Sequence, residues 1–221
     1  MKEVIKKNNI AVLVSGSGTN LQAIIDAEKN GIIKNGQLRL VISNNKEAYA
    51  LQRGRNEDIE SLYIPSKEPN SSKEPNNSQE DTFERKLKEA LVSRNISLVV
   101  LAGFTKILSA AFVENCQIPI INIHPSLIPS FCGKGYYGLK VHQAALERGV
   151  KLTGATVHFV NEIPDGGQII MQKAVEVLPD DTPRSLQKRV MAEAEWIILP
   201  QAIERICYEQ VQNQPTENKD L

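Results

Sequence analysis

The stretch Ile10-Ala-Val-Leu-Val14 runs without a break into Ser15-Gly-Ser-Gly-Thr-Asn20, and a helical pattern opens at Leu21. An apolar, β-branched run, a glycine-bearing turn and a helix start make up the strand–loop–helix step from which parallel sheets are built. The step recurs. Residues 38–42, 61–64, 96–101 and 118–123 read as further strands. Stretches 21–28, 47–55, 81–94, 105–115 and 139–148 have the length and composition of helices. This alternation predicts an α/β protein with a doubly wound, mostly parallel sheet, Rossmann-like in its N-terminal half and covered on both faces.

After Gly149 the texture changes. Two extended segments, 152–160 and 168–178, are joined by the turn-rich 161–167 and read as a strand–loop–strand addition. Asp181-Thr-Pro183 is a helix-start signal, and Leu186, Val190, Ala194 and Ile197 follow at helical spacing. We expect residues 1–209 to form one domain, interrupted at 65–80 by an inserted loop of low complexity and followed at 210–221 by a polar tail. The insertion holds a tandem hexapeptide, Ser66-Lys-Glu-Pro-Asn-Ser71 and then Ser72-Lys-Glu-Pro-Asn-Asn77. Its charges, amides and prolines cannot bury a core, so it reads as a solvated surface loop, with a functional lid as the alternative.

Composition narrows the function. The 221 residues are 41% hydrophobic and 24% charged, as in an ordinary soluble globular protein. Twenty-six basic residues balance twenty-six acidic ones, which argues against a protein that coats nucleic acid, since such binding draws on surplus Lys and Arg. One small anionic ligand stays compatible with that balance. The apolar runs fall far short of the ~20 residues of a membrane span, and Met1 to Asn9 lacks the apolar core of a signal peptide. The expected setting is therefore cytoplasmic, without nucleic-acid or membrane partners. Cys116, Cys132 and Cys207 are widely spaced, with neither a Cys-x-x-Cys nor a His-x-x-x-His pattern, so neither a disulfide framework nor a metal is expected.

Three stretches carry candidate chemistry. The glycines at 16 and 18 let a ligand approach the backbone, while the amides at the helix start and the hydroxyls of Ser17 and Thr19 suit a phosphate. The third glycine of the dinucleotide fingerprint and the lysine of a nucleotide loop are both missing, so the choice lies between a small monophosphate and an unliganded turn. In Asn122-Ile-His124-Pro-Ser-Leu-Ile-Pro129, strand alternation sets Asn122 and His124 side by side, two donors suited to an oxyanion. Asp165-Gly-Gly167 reads as a turn or as a source of a carboxylate. Of the other histidines, His142 is expected on the surface of its helix, and His158, sharing a strand face with Thr156, as a neighbour of the site.

Together these residues resemble the folate-dependent formyltransferases, and among them the phosphoribosylglycinamide formyltransferases of purine synthesis. The resemblance spans nearly the whole chain. It rests on Ser15-Gly-Ser-Gly-Thr-Asn-Leu21, Leu101-Ala-Gly-Phe-Thr-Lys-Ile-Leu108, the 122–129 block, Gly154-Ala-Thr-Val-His-Phe-Val160 and Asp165-Gly-Gly167. The 122–129 block is shared with related enzymes that act on methionyl-tRNA, nucleotide sugars or formyltetrahydrofolate itself, which usually carry a further domain.

The resemblance implies formyl transfer from 10-formyltetrahydrofolate, as co-substrate, to the amine of 5′-phosphoribosylglycinamide. By the same implication Ser17, Gly18, Thr19 and Asn20 hold the ribose phosphate, Glu195 contacts ribose hydroxyls, and Thr105, Lys106, Ile107 and Leu108 bind the pterin beside Asn122. Asn122 and His124 are the implied catalytic pair, with Asp165 the carboxylate that supports the histidine and helps move a proton. No metal is implied, and the protein is expected as a monomer or homodimer. Three positions depart from the pattern: Lys106 stands where Arg is frequent, Pro164 where an aliphatic residue is usual, and Trp196 where His is common. A hydrolase of the same fold and a phosphate-binding regulatory module are the competing readings.

Overall fold

The structure is a computed structural model that describes residues 7–66 and 82–213. One sheet holds β1 (Asn8–Leu13), β2 (Gly36–Ser43), β3 (Glu60–Tyr63), β4 (Ile96–Leu101), β5 (Ile120–His124), β6 (Leu152–Phe159) and β7 (Ile169–Glu176). Their order is β3-β2-β1-β4-β5-β6-β7. The pairings among β1 to β5 are parallel, and β6 and β7 run antiparallel to their neighbours. Around the sheet lie α1 (Thr19–Lys29), α2 (Tyr49–Asn56), α3 (Thr82–Val92), α4 (Ala110–Asn115), α5 (Leu139–Arg148), α6 (Pro183–Val190) and α7 (Trp196–Gln212). A single π-helical turn, Met191–Glu195, joins α6 to α7. The mostly parallel, doubly wound sheet expected from the sequence is thus the one observed.

Side-chain alternation explains why both faces are covered. Ile10 and Val12 pack with Leu21 and Ile24 of α1 and Leu199 and Ile203 of α7, whereas Ala11 and Leu13 point the other way onto Phe83 and Leu87 of α3. Each fully buried aliphatic or aromatic side chain contributes roughly 1.5–3 kcal/mol. Two such cores back to back make the sheet a stiff base for its loops.

Chain order runs outward from β1 towards β3, then restarts at β4 in the opposite direction, so β1 and β4 flank the switch point where open α/β sheets form their crevice. The loops above these strands are tied together. Ser15 donates its amide to Gly103 O at 3.1 Å, and its Oγ accepts the Thr105 amide at 2.9 Å.

Several boundaries differ from expectation. The helix expected over 105–115 is only Ala110–Asn115, because Ser109 is its N-cap and accepts the Phe112 amide, leaving the preceding residues as loop. The strand expected at 118–123 begins at Ile120 instead. At the C-terminus α7 continues to Gln212, into the segment expected as a polar tail. Beyond Ser66 the tandem repeat lies outside the described residues, as do most of the 65–80 insertion and residues 214–221 of the tail.

Candidate active site

Asn122 and His124 share one face of β5, and the antiparallel register sets His158 of β6 directly opposite Asn122 and Thr156 opposite His124. Cross-strand neighbours on one face are within side-chain reach, and Asn122 Nδ2 lies 3.2 Å from His158 Nε2. His158 faces the carbonyl of Phe159 through Nδ1 at 2.8 Å. A carbonyl only accepts, so Nδ1 carries a proton, while Nε2 lies between the Asn122 amide and Asp165 Oδ1, 3.5 Å from the latter.

The loop after β6 folds back over this face and delivers Asp165. Its Oδ1 lies 3.4 Å from Asn122 Nδ2 and its Oδ2 3.5 Å from His124 Nδ1, while Oδ2 accepts the Gly133 amide at 2.8 Å. On the far side of the imidazole, His124 Nε2 donates to Phe131 O at 2.9 Å. His124 is buried, and both ring nitrogens face acceptors. Two non-glycine residues adopt left-handed backbone here, Asp165 at φ 57° and Phe131 at φ 49°. Such angles cost about 1–2 kcal/mol each for an L-residue, and they occur at the two residues that grip the imidazole.

Burial, the largest influence on Asp165, opposes its ionisation. The His158 hydrogen bond, the charge of His124 and the Gly133 amide together outweigh it and hold the carboxyl below the usual range. The site therefore presents a fixed anion against an amide donor and an imidazole. This is a set of groups able to move a proton and stabilise a developing oxyanion.

A cavity of about 130 Å³ adjoins this cluster, bounded on one side by Leu101, Phe104 and residues 106–108 and on the other by Asn122, His158 and residues 160–165. Lys106, Ile107 and Leu108 thus line the same cavity as Asn122 and Asp165, whereas Thr105 is turned to Ser15, its amide and hydroxyl both bonded to Ser15 Oγ. Ile107 is 70% exposed, an apolar surface available to a ligand, and Lys106 packs over the Phe83 ring. A larger hollow of about 580 Å³ between α3 and α4 carries none of the candidate catalytic groups.

The glycine-rich loop lies above β1. Gly18 is the N-cap of α1 with φ 73° and no side-chain cap, so the first-turn amides are not capped from within the loop. A Cβ at Gly18 would stand 2.7 Å from Ala50 Cβ, so that position has no room for a larger residue. Asn20 is buried and donates to Glu195 Oε2 at 2.6 Å; among the described residues its Oδ1 has no partner. Burial pushes the Glu195 carboxyl up, against the opposing hydrogen bond from Asn20. Ala194 and Glu195 are the two buried residues of the π-helical turn. Thr19 and Trp196 line a groove of about 350 Å³ beside it.

The residues singled out from sequence therefore fall into two adjoining clusters, Asn122–His124–Asp165 with the 105–108 loop, and residues 17–20 with Glu195. His158 is the partner that strand periodicity flagged only as a neighbour. Phe131 and Gly133 act through backbone atoms, which side-chain pattern does not reveal. His142 overturns its expected surface position: α5 turns Val141, His142 and Ala145 inward together, and His142 is 1% exposed. Among the described residues neither of its ring nitrogens has a hydrogen-bond partner. Burial, with the charge of His124 adding, pushes its pKa down to about 4. No group of three or more His, Cys, Asp or Glu placed to hold a metal occurs among the described residues, and no helix among them is long and apolar enough to cross a membrane.

The model of the formyl transferase family matches residues 8–203. The chain is 40% identical over 185 residues to phosphoribosylglycinamide formyltransferase of Escherichia coli K12, covering 84% of this chain and 81% of that protein. It is 36% identical over 206 residues to the chloroplastic phosphoribosylglycinamide formyltransferase of Arabidopsis thaliana, covering 93% of this chain and 68% of that protein. The trifunctional animal relatives match over a much smaller share of their length. Among solved structures, glycinamide ribonucleotide transformylase 1 from Symbiobacterium toebii superposes with a TM-score of 0.79 at 39% identity, covering 92% of this chain and 89% of that one.

Proposed function

The chain belongs to the formyl transferase family, and we propose that it transfers the formyl group of 10-formyltetrahydrofolate to the primary amine of 5′-phosphoribosylglycinamide, a step of purine synthesis. One observation carries the assignment of roles: Asp165 is held against both Asn122 and His124 and lines a cavity together with Lys106, Ile107 and Leu108. The 105–108 loop takes the pterin. The phosphate rests on the amides and side chains of residues 17–20, and Glu195 with the unpaired Asn20 Oδ1 meets the ribose hydroxyls. That places the amine between the two clusters.

The amine attacks the formyl carbon, and the carbonyl oxygen becomes an oxyanion facing Asn122 and His124. Asn122 Nδ2 turns one N–H from its resting partners to the oxyanion, and His124 Nδ1, whose 3.5 Å contact with Asp165 is longer than a close hydrogen bond, supplies the second donor. Collapse of the tetrahedral species breaks the bond from carbon to the folate nitrogen. The proton shed by the attacking amine reaches that leaving nitrogen, relayed by Asp165 and His124. Asp165 is held below the usual carboxyl range, so at neutral pH it presents a fixed negative charge beside the reacting atoms.

The test is to mix the protein with 10-formyltetrahydrofolate, with and without the glycinamide ribonucleotide, and to follow tetrahydrofolate and formate. Tetrahydrofolate formed only when the amine is present supports the proposal. Formate released without amine identifies a hydrolase of the same fold. No turnover in either mixture overturns the catalytic reading.

A further inference from the structure

The glycine-rich loop has a mechanical weakness. An anion held by backbone amides needs successive N–H groups turned towards it, yet the 16–17 and 17–18 peptides are each flanked by a glycine, the residue that least resists a flipped peptide plane. Nothing beyond its chain neighbours lies within 4 Å of where a Cβ on Gly16 would stand, so packing does not fix its orientation. A flip would aim a carbonyl at the phosphate.

The structure supplies the missing restraint from α2. The Ala50 amide donates to Gly16 O at 3.2 Å, and Arg53 Nε donates to Ser17 O at 2.9 Å. In a planar trans peptide the C=O and the following N–H point in opposite directions. Two successive carbonyls drawn towards α2 therefore turn the Ser17 and Gly18 amides away from it. Arg53 is itself locked: Nη1 donates to Gln22 Oε1 at 2.8 Å, and its guanidinium lies 4.9 Å over the Tyr49 ring. No carboxylate pairs with it among the described residues, so its positive charge stands unneutralised behind the loop.

We infer that Arg53 is a positioning residue for the substrate phosphate, holding the Ser17–Gly18 peptide in the orientation that makes the loop an anion nest. The inference rests on the proposed substrate and adds to it a residue outside the glycine loop. A planar fork suits this task because Ser17 O and Gln22 Oε1 are engaged at the same time; a lysine ammonium reaching the same place is a compact point charge without that fixed geometry.

Arg53→Met keeps the alkyl stem and removes every donor, and Arg53→Lys restores charge and one donor. Dissociation constants are measured by calorimetry for the glycinamide ribonucleotide, for its dephosphorylated riboside and for the folate, alongside KM and kcat. In Arg53→Met the ribonucleotide should bind about tenfold more weakly, the effect expected from losing a charged hydrogen bond. Riboside and folate affinities should hold, and the loss should appear in KM for the ribonucleotide more than in kcat. Arg53→Lys should recover part of the affinity, and retained folate binding certifies the fold of both variants. Equal weakening of ribonucleotide and riboside, or ribonucleotide affinity unchanged in Arg53→Met, overturns the inference. A wild-type protein that binds riboside and ribonucleotide equally well would instead overturn the substrate assignment, and the role of Arg53 with it.

Discussion

The carboxylate of Asp165 and the backbone amide of Gly133 meet at 2.8 Å, and this bond closes a cage around His124. Phe131 O takes one ring nitrogen, Asp165 faces the other, and only Cys132 separates Phe131 from Gly133 in the chain. The imidazole is thus positioned by a short loop and a returning carboxylate rather than by its own strand alone.

Asp165→Asn is the clean test of that carboxylate. Asparagine tolerates left-handed backbone at least as well as aspartate, so the φ of 57° at this position survives the change. An alanine would add strain to the loss of charge. Turnover in Asp165→Asn should fall by ~10²–10⁴-fold, the range for losing acid–base assistance, while the dissociation constants of both substrates change little. Wild-type turnover in the folded variant would reduce Asp165 to a turn residue.

Asn122 and His124 are proposed to serve one oxyanion, so their losses should not multiply. Each alanine variant should lower kcat by ~10²-fold or more, and the double variant by less than the product of the two. Single-turnover rates of the three variants give the answer directly. A fully multiplicative result would separate their roles.

The fold was legible because the apolar runs at 10–14 and 96–101 alternate into two cores, and that periodicity needs no tertiary information. The pairing of Asn122 with His124 was legible for the same reason. Their grip was not, since Phe131 and Gly133 hold the site through main-chain atoms. Arg53 carries no local signal of its role, because its partner Ser17 lies 36 positions away in the chain. A lone histidine on an amphipathic helix reads as polar, so His142 looks exposed in sequence, whereas it shares the inward face of α5 with Val141 and Ala145.

The start of α6 should show its electrostatics in acid. Arg189 donates to both oxygens of Asp181, at 2.5 and 2.6 Å, and with the Leu178 amide and Ser185 it brings the carboxyl down to about 2. A carboxyl depressed on folding stabilises above its unfolded pKa of ~3.9 and loses that contribution as pH falls towards the folded value. Asp181→Asn should therefore be less stable than wild type at pH 7, by about 1–3 kcal/mol, since the Asp181 side chain in this pair is only 2% exposed. In urea titrations the difference should shrink steadily as the pH is lowered below ~4. A difference independent of pH would assign it to packing.

His142 makes the opposite kind of demand on pH. Its ring is buried without a hydrogen-bond partner among the described residues, and its pKa falls from 6.5 to about 4 on folding. Between those values the unfolded chain binds the proton and the folded one does not, so the native state loses stability as pH drops through that window; below it both states are protonated and the loss is complete. Replacing the ring by an apolar side chain of similar bulk removes two polar atoms left unpaired in the interior, a change that is nearly neutral or stabilising when nothing else depended on them. His142→Leu should therefore match or exceed wild-type stability at pH 7. It should also lack the part of the pH 6.5-to-4 slope that His142 contributes, a loss of about a few kcal/mol in the wild type. Urea denaturation of both proteins across that range decides the matter: parallel curves would mean that the histidine is protonated or hydrogen-bonded in the folded protein, and marked destabilisation of the leucine variant at neutral pH would mean that the ring has a partner after all.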